Sequence, residues 1–233
     1  MSKRPLDKKQ LKAKITRALN SAIPNRQTEI SALIPESFTA GKLYEAYILG
    51  RICQKLKSLE GCTLQLMDGQ GSKAKKQVVL KTSGGPINTY YPHIQVQKNG
   101  QPFADIWTDV EFIALSSTQM SKVLLTLGDM HEMDIIVVLP GTTSYPNADN
   151  IMLAAECKNT GYEKNLLREI LGVRRELSFR NGIQHPTHFS AWPRQVVPAD
   201  PPSCVSVYST DSDILKYSAP GIFWGIDFYH EPF

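Results

Sequence analysis

Two short apolar runs that each carry charge constrain this chain more tightly than anything else in it. Residues 131–139 read HEMDIIVVL and residues 151–159 read IMLAAECKN. Both are short and strongly apolar, as strands buried on both faces are, and the first is β-branched as well. The segment between them, PGTTSYPNADN (residues 140–150), has the Pro, Gly, Asn and Asp content of a loop. Consecutive strands are therefore predicted. An ionised side chain in such a strand is expensive unless a partner compensates it. Yet Asp134 lies inside the first run, and Glu156 and Lys158 close the second. Glu156 and Lys158 are two apart, so on a strand they share a face. If the runs pair as a hairpin across residues 140–150, Asp134 comes close to Glu156.

Two carboxylates held together repel, and a hard cation relieves the repulsion. Mg²⁺ takes oxygen ligands, often one or two carboxylates with waters and a substrate phosphate. A lysine beside it can stabilise a hydroxide-like nucleophile or charge developing on a phosphoryl group. The competing readings are structural. Glu156 and Lys158 can form a surface ion pair at a strand end, and Asp134 can cap a backbone amide. Glu132 shares the strand face of Asp134 and reads as a solvated strand start, while His131 reads as a loop residue.

The surrounding elements follow from periodicity. Residues 6–22 form a helix with Leu11, Ile15 and Leu19 on one face, ended by Pro24. Residues 41–59 form a second helix, with Leu43, Tyr47, Ile48, Ile52 and Leu56 as its apolar stripe and Gly61 as its stop. Gly50 inside that helix implies a close neighbour, for which a strand is a candidate. Residues 62–92 read as turn-rich around QVVLK. His93–Lys98 and Phe103–Leu115 flank Asn99-Gly100, a hairpin signal. Residues 163–177 are an amphipathic helix, 204–209 and 221–229 are strands, and prolines break the segment before 204. Alternating helices and strands argue for a mixed α/β sheet with helices on its faces. Trp107, Trp192 and Trp224 are expected in the core, and His185 and His188 on the surface.

Charge is unevenly placed. Of a formal net +4, residues 1–17 carry +6, from Lys3, Arg4, Lys8, Lys9, Lys12, Lys14 and Arg17 against Asp7. Such an arm can dock on phosphates through counterion release, or simply be a solvated face. Lys164 and Arg168, on the helix after Lys158, can also touch phosphates, although they alternate with Glu163 and Glu169 as a solvated helix face does. The four cysteines make no CxxC pair, which argues against zinc and for reduced core thiols. No apolar run is long enough to cross a bilayer and no secretory h-region follows the first basic residues, so a cytoplasmic protein without membrane contact is expected.

Asp134 in HEMDIIVV, then Glu156-Cys157-Lys158 in AAECKN, then the helix of 163–177, resemble the PD-(D/E)xK nuclease superfamily, the restriction-endonuclease-like fold. The element order over roughly residues 41–210 is similar to that family's helix, three-stranded meander, helix and strand. Met133 stands where the family often has proline. The resemblance implies a restriction-endonuclease-like mixed central sheet flanked by helices over residues 41–233, with residues 1–40 as a basic helical segment of the same domain. It implies Asp134 and Glu156 as metal ligands, the Cys157 carbonyl as a third, and Lys158 as the residue that positions the attacking water. Glu45, in GKLYEAYILGRI, looks like the glutamate of the family's preceding helix, and would complete the site or bind a second metal; otherwise it faces water. The implied activity is Mg²⁺-dependent hydrolysis of DNA phosphodiesters, with Mn²⁺ as a substitute and restriction or other genome defence as a setting. RNA remains an alternative substrate, and a non-cleaving nucleic-acid-binding or assembly subunit an alternative role. A homodimer is implied where both strands are cut.

Overall fold

A computed structural model describes residues 7–24, 30, 33–70, 80–193 and 196–232. Lys3 and Arg4 of the basic arm and Gln77–Val79 of the QVVLK run lie outside the described residues.

Among the described residues, the chain forms a seven-stranded sheet with helices on both faces. Helix α1 (Lys8–Ala22) is capped by the Asp7 side chain, which accepts from the Lys9 amide. Helix α2 (Ala40–Glu60) is capped by Thr39, and ends at Gly61 in the left-handed conformation (φ 67°). The sheet strands are β1 (Thr63–Met67), β2 (His93–Lys98), β3 (Gln101–Ile113), β4 (Met130–Val138), β5 (Ile151–Lys158), β8 (Cys204–Ser209) and β9 (Ile226–His230). Their order is β1-β2-β3-β4-β5-β8-β9. Pairing is antiparallel from β1 to β5 and parallel from β5 to β8 and from β8 to β9. The parallel step is made possible by helix α4 (Lys164–Leu177), which carries the chain across the sheet face. A short α3 (Leu115–Gln119) follows β3, and α5 (Ser218–Trp224) precedes β9. A separate hairpin, β6 (Phe179–Pro186) and β7 (Val196–Asp200), lies between α4 and β8.

The sheet separates two cores. The first packs Leu11, Ile15 and Leu19 of α1 and the apolar stripe of α2 against Val96, Ile106, Ile135, Val137 and Leu153. The second packs Ile170 and Leu177 of α4 with Trp107, Phe112, Ile136, Val205 and Phe228. Burial on both faces is why the central strands read as continuous apolar runs.

Helices α1 and α2 run parallel. Lys8 donates to the Phe38 carbonyl (3.5 Å), Lys14 lies over the Tyr47 ring (4.6 Å), and Gln54 bonds Ser21 (2.7 Å). The basic start of α1 therefore sits at the N-terminal end of α2. Gly50 explains the close approach, and its neighbour is a helix rather than a strand. A Cβ there would lie 3.0 Å from Ala18 Cβ.

Several sequence expectations need correction. β1 falls in a stretch read as turns, because TLQLM is only five residues long and follows the helix stop at once. His131 belongs to β4, not a loop. Residues 221–229 divide into the end of α5 and β9, separated at Gly225 (φ 70°), which local apolarity cannot distinguish from one strand. The proline-containing segment forms β6 and β7, with Pro198 inside a strand of a two-stranded sheet, where every strand is an edge. Trp107 and Trp192 are buried, but Trp224 is 39% exposed.

Candidate metal centre

The site is built where β3, β4 and β5 run side by side beneath the start of α2. Ile135 pairs with Ala155, so the next positions along, Asp134 and Glu156, stand opposite each other. On the other side of β4, Thr108 pairs with Ile135 and Val110 with Met133, which brackets Asp109 against Asp134. Asp109 has φ 52°, the left-handed region that costs a non-glycine residue energy and that Asp tolerates better than most. The alternation of β3 changes phase at this point. Ala104 and Ile106 belong to the first core, whereas Trp107, Val110 and Phe112 belong to the second. The kink is held by Lys81, whose buried ammonium donates to the carbonyls of Asp109 (2.6 Å) and Gly85 (3.0 Å).

Glu45, Asp109 and Asp134 each bring a carboxylate oxygen within 4.8 Å of the others. Lys42, one turn before Glu45 on α2, donates to Glu45 Oε2 (2.7 Å) and to Asp109 Oδ1. Its own pKa is raised by these two carboxylates, against the effect of burial. Asp134 Oδ2 accepts a hydrogen bond from the Cys157 amide (2.7 Å). Burial, then the neighbouring Glu156 and Glu45 charges, push the Asp134 carboxyl up to about 8. Asp109 is raised to about 6, mainly by burial, which its Lys42 partner only partly offsets. Glu156 is also raised by burial. Its Oε1 is paired with Lys158 Nζ at 2.6 Å, and Lys158 is raised by that contact.

Beside Glu156 and Lys158 opens a small cleft of about 160 Å³, shared with Glu132, Tyr162 and Glu169. Tyr162 is only 5% exposed, and among the described residues its hydroxyl has no hydrogen-bond partner.

The sequence-predicted residues thus divide. Asp134, Glu156, Lys158 and Glu45 come together. Glu45 is drawn into the acidic group and does not simply face water, whereas Glu156 is tied to Lys158 and stands outside the three-carboxylate cluster. The Cys157 side chain is buried in the first core with its thiol pKa pushed well up, so only its backbone borders the site. Lys9 and Lys12 line a shallow depression on α1 with Arg17. Lys164 and Arg168 are exposed on α4. Asp109 and Lys42 were not found from the sequence. Asp109 carried the signal that revealed Asp134, a carboxylate inside an apolar strand, in IWTDVEFI.

All-oxygen donors around a carboxyl that holds its proton to about pH 8 suit a hard divalent cation, whose charge would offset that shift. No protein family, curated protein or solved structure matches this chain.

Proposed function

We propose that the chain is a metal-dependent nuclease that hydrolyses DNA phosphodiester bonds on a restriction-endonuclease-like core. One observation carries this reading. Asp134 and Glu156 stand opposite each other on adjacent buried strands, with the Lys158 ammonium 2.6 Å from Glu156 and Glu45 beside Asp134. The element order α2, β3-β4-β5, α4, β8 supports the fold assignment, since it is helix, meander, helix, strand.

Asp134 and Glu45 of the three-carboxylate cluster, joined by Glu156 from the facing strand, are the residues that would hold Mg²⁺ or Mn²⁺, with the Cys157 backbone at the edge of the site and Asp109 kept by Lys42. When bound, the ion supplies a lowered water pKa and charge neutralisation at a phosphoryl oxygen. Lys42 holds Asp109 and Glu45 in place by bonding to both, its one positive charge offsetting part of theirs, which leaves Asp134 as the carboxylate of the cluster that no described ammonium pairs with directly. Lys158 presents a fixed positive charge beside Glu156, where it can orient an attacking water and stabilise charge developing on the phosphoryl oxygens.

Supercoiled plasmid incubated with Mg²⁺ tests the reading. Wild type nicks or linearises it, and Glu156→Ala and Lys158→Ala lower the rate by at least about a hundredfold. Equal cutting by wild type and both alanine variants removes these residues from the mechanism. Salt-dependent binding without turnover under Mg²⁺ or Mn²⁺ assigns the chain instead to a non-cleaving role.

A further inference from the structure

A cavity of about 570 Å³ lies beyond the cleft, walled by α4, the start of β6, β7 and the end of α5. Its charged lining residues are Arg174, Arg175 and Arg180, with no carboxylate among the lining residues. Arg174 is structural, since Nε donates to the Trp224 carbonyl (2.9 Å) and Nη1 to the Ser203 carbonyl (2.8 Å). Arg175 and Arg180 are exposed. The Arg180 guanidinium lies 4.1 Å from the Phe223 ring centre and 5.4 Å from that of Trp224. Phe179 (54% exposed) and Trp224 offer further aromatic surface to the cavity. Gly172 opens the α4 wall, because a Cβ there would meet nothing within 4 Å.

Along α4, Lys164, Arg168, Gly172 and Arg175 follow the spacing i, i+4, i+8, i+11, which sets them in one exposed row. The row begins six residues after Lys158 and ends at the cavity. Positive charge without acidic lining, next to the exposed rings of Phe179 and Trp224, matches a polyanion whose subunits carry flat π-systems. A base stacked and paired in a duplex cannot enter a concave pocket, whereas an unpaired base can.

We propose that this cavity takes an unpaired base of a single-stranded nucleic-acid segment, with the adjoining phosphates along Lys164, Arg168 and Arg175. The inference deepens the nuclease reading and rests on it, because the segment is the flank of the strand held at Glu156 and Lys158.

Binding without metal separates the two. Fluorescein-labelled (dT)20, a duplex of the same length and heparin are titrated in EDTA, following anisotropy and tryptophan emission. Trp107 and Trp192 are buried, so Trp224 is the tryptophan that a stacking base reaches. For wild type, (dT)20 binds more tightly than the duplex and quenches emission, and heparin binds without quenching. Trp224→Leu abolishes the quench. Arg180→Ala and Gly172→Leu each weaken (dT)20 by about five- to a hundredfold. Gly172→Leu removes no charge and suits a helix, so it blocks the cavity while leaving the salt dependence unchanged. Unaltered (dT)20 affinity in Gly172→Leu and Trp224→Leu, preference for duplex, or association of two protein copies through this face overturns the proposal. If wild type still cuts plasmid under Mg²⁺, that failure belongs to the cavity alone. Absence of both cutting and binding removes the nuclease reading and the cavity together.

Discussion

Asp134 is flanked by Glu156 on one strand and Glu45 on the helix above, and its carboxyl is held at about 8. Folding therefore favours the protonated acid. A carboxyl whose folded pKa is raised destabilises the fold increasingly as pH climbs from its unfolded value near 4 to about 8, and not below that window. Asp134→Asn should accordingly stabilise the metal-free protein near pH 8, raising Tm by about 2 °C or more, with the gain vanishing near pH 4. Saturating Mg²⁺ should reverse the order, stabilising wild type above the variant. Melting curves in EDTA and in Mg²⁺ across this range check it, and a variant no more stable than wild type at pH 8 in EDTA contradicts the electrostatics. The rule that exposed Asp134, charge inside an apolar strand, applies equally to Asp109. What sequence could not supply was the φ of 52° that turns Asp109 into the group, or Lys42 reaching across from α2 to neutralise it.

At the level of elements, the C-terminal end of α2 anchors a loop far from it in sequence. Glu60 accepts from the amides of Ser190, Ala191 and Trp192 and from the Ser190 hydroxyl, and pairs with Lys98 at 2.9 Å. These donors hold its pKa down to about 2, against the effect of burial. The sign is opposite to that of Asp134. The stabilisation is present above the unfolded value near 4.5 and is lost as pH falls through about 2. Glu60→Gln should cost about 3 kcal/mol at pH 7, roughly 5 to 10 °C in Tm, and should reduce the acid sensitivity between pH 4.5 and 2. An unchanged acid profile would show that other carboxylates govern it. Nothing in the sequence marks Glu60, since a glutamate at a helix end looks solvent-facing until residues 190–192 fold over it. By contrast α1, α2 and α4 were legible within about two residues, because apolar spacing and helix stops such as Gly61 act locally.

Across the whole molecule, α1 packs its apolar face into the first core and keeps Lys9, Lys12 and Arg17 outside, at or leading back from the end of α2 that carries Lys42 and Glu45. Deleting the arm would remove Leu11 and Ile15 from the core, so substitution is the cleaner test. Lys9→Ala, Lys12→Ala and Arg17→Ala together should reduce the slope of log K against log salt for duplex DNA by about 2 to 3, near 0.9 for each phosphate that is no longer neutralised. A slope equal to that of wild type would make α1 a solvated helix with no part in binding. Among the described residues, no helix is long and apolar enough to cross a membrane.

The sequence alone determined the helix-and-strand order of the central elements and the presence of charge where burial makes charge costly, because periodicity and turn chemistry act over a few residues. It named Asp134, Glu156 and Lys158, since a two-residue spacing and a hairpin loop suffice to juxtapose them. Tertiary structure decided the rest. The sheet register set Asp109 against Asp134, the parallel packing of α1 on α2 fixed where the basic arm lies, and the fold of α5 against β7 turned Trp224 outward beside arginines. Each depends on contacts between residues tens of positions apart, whose free energy is settled only when the whole core packs.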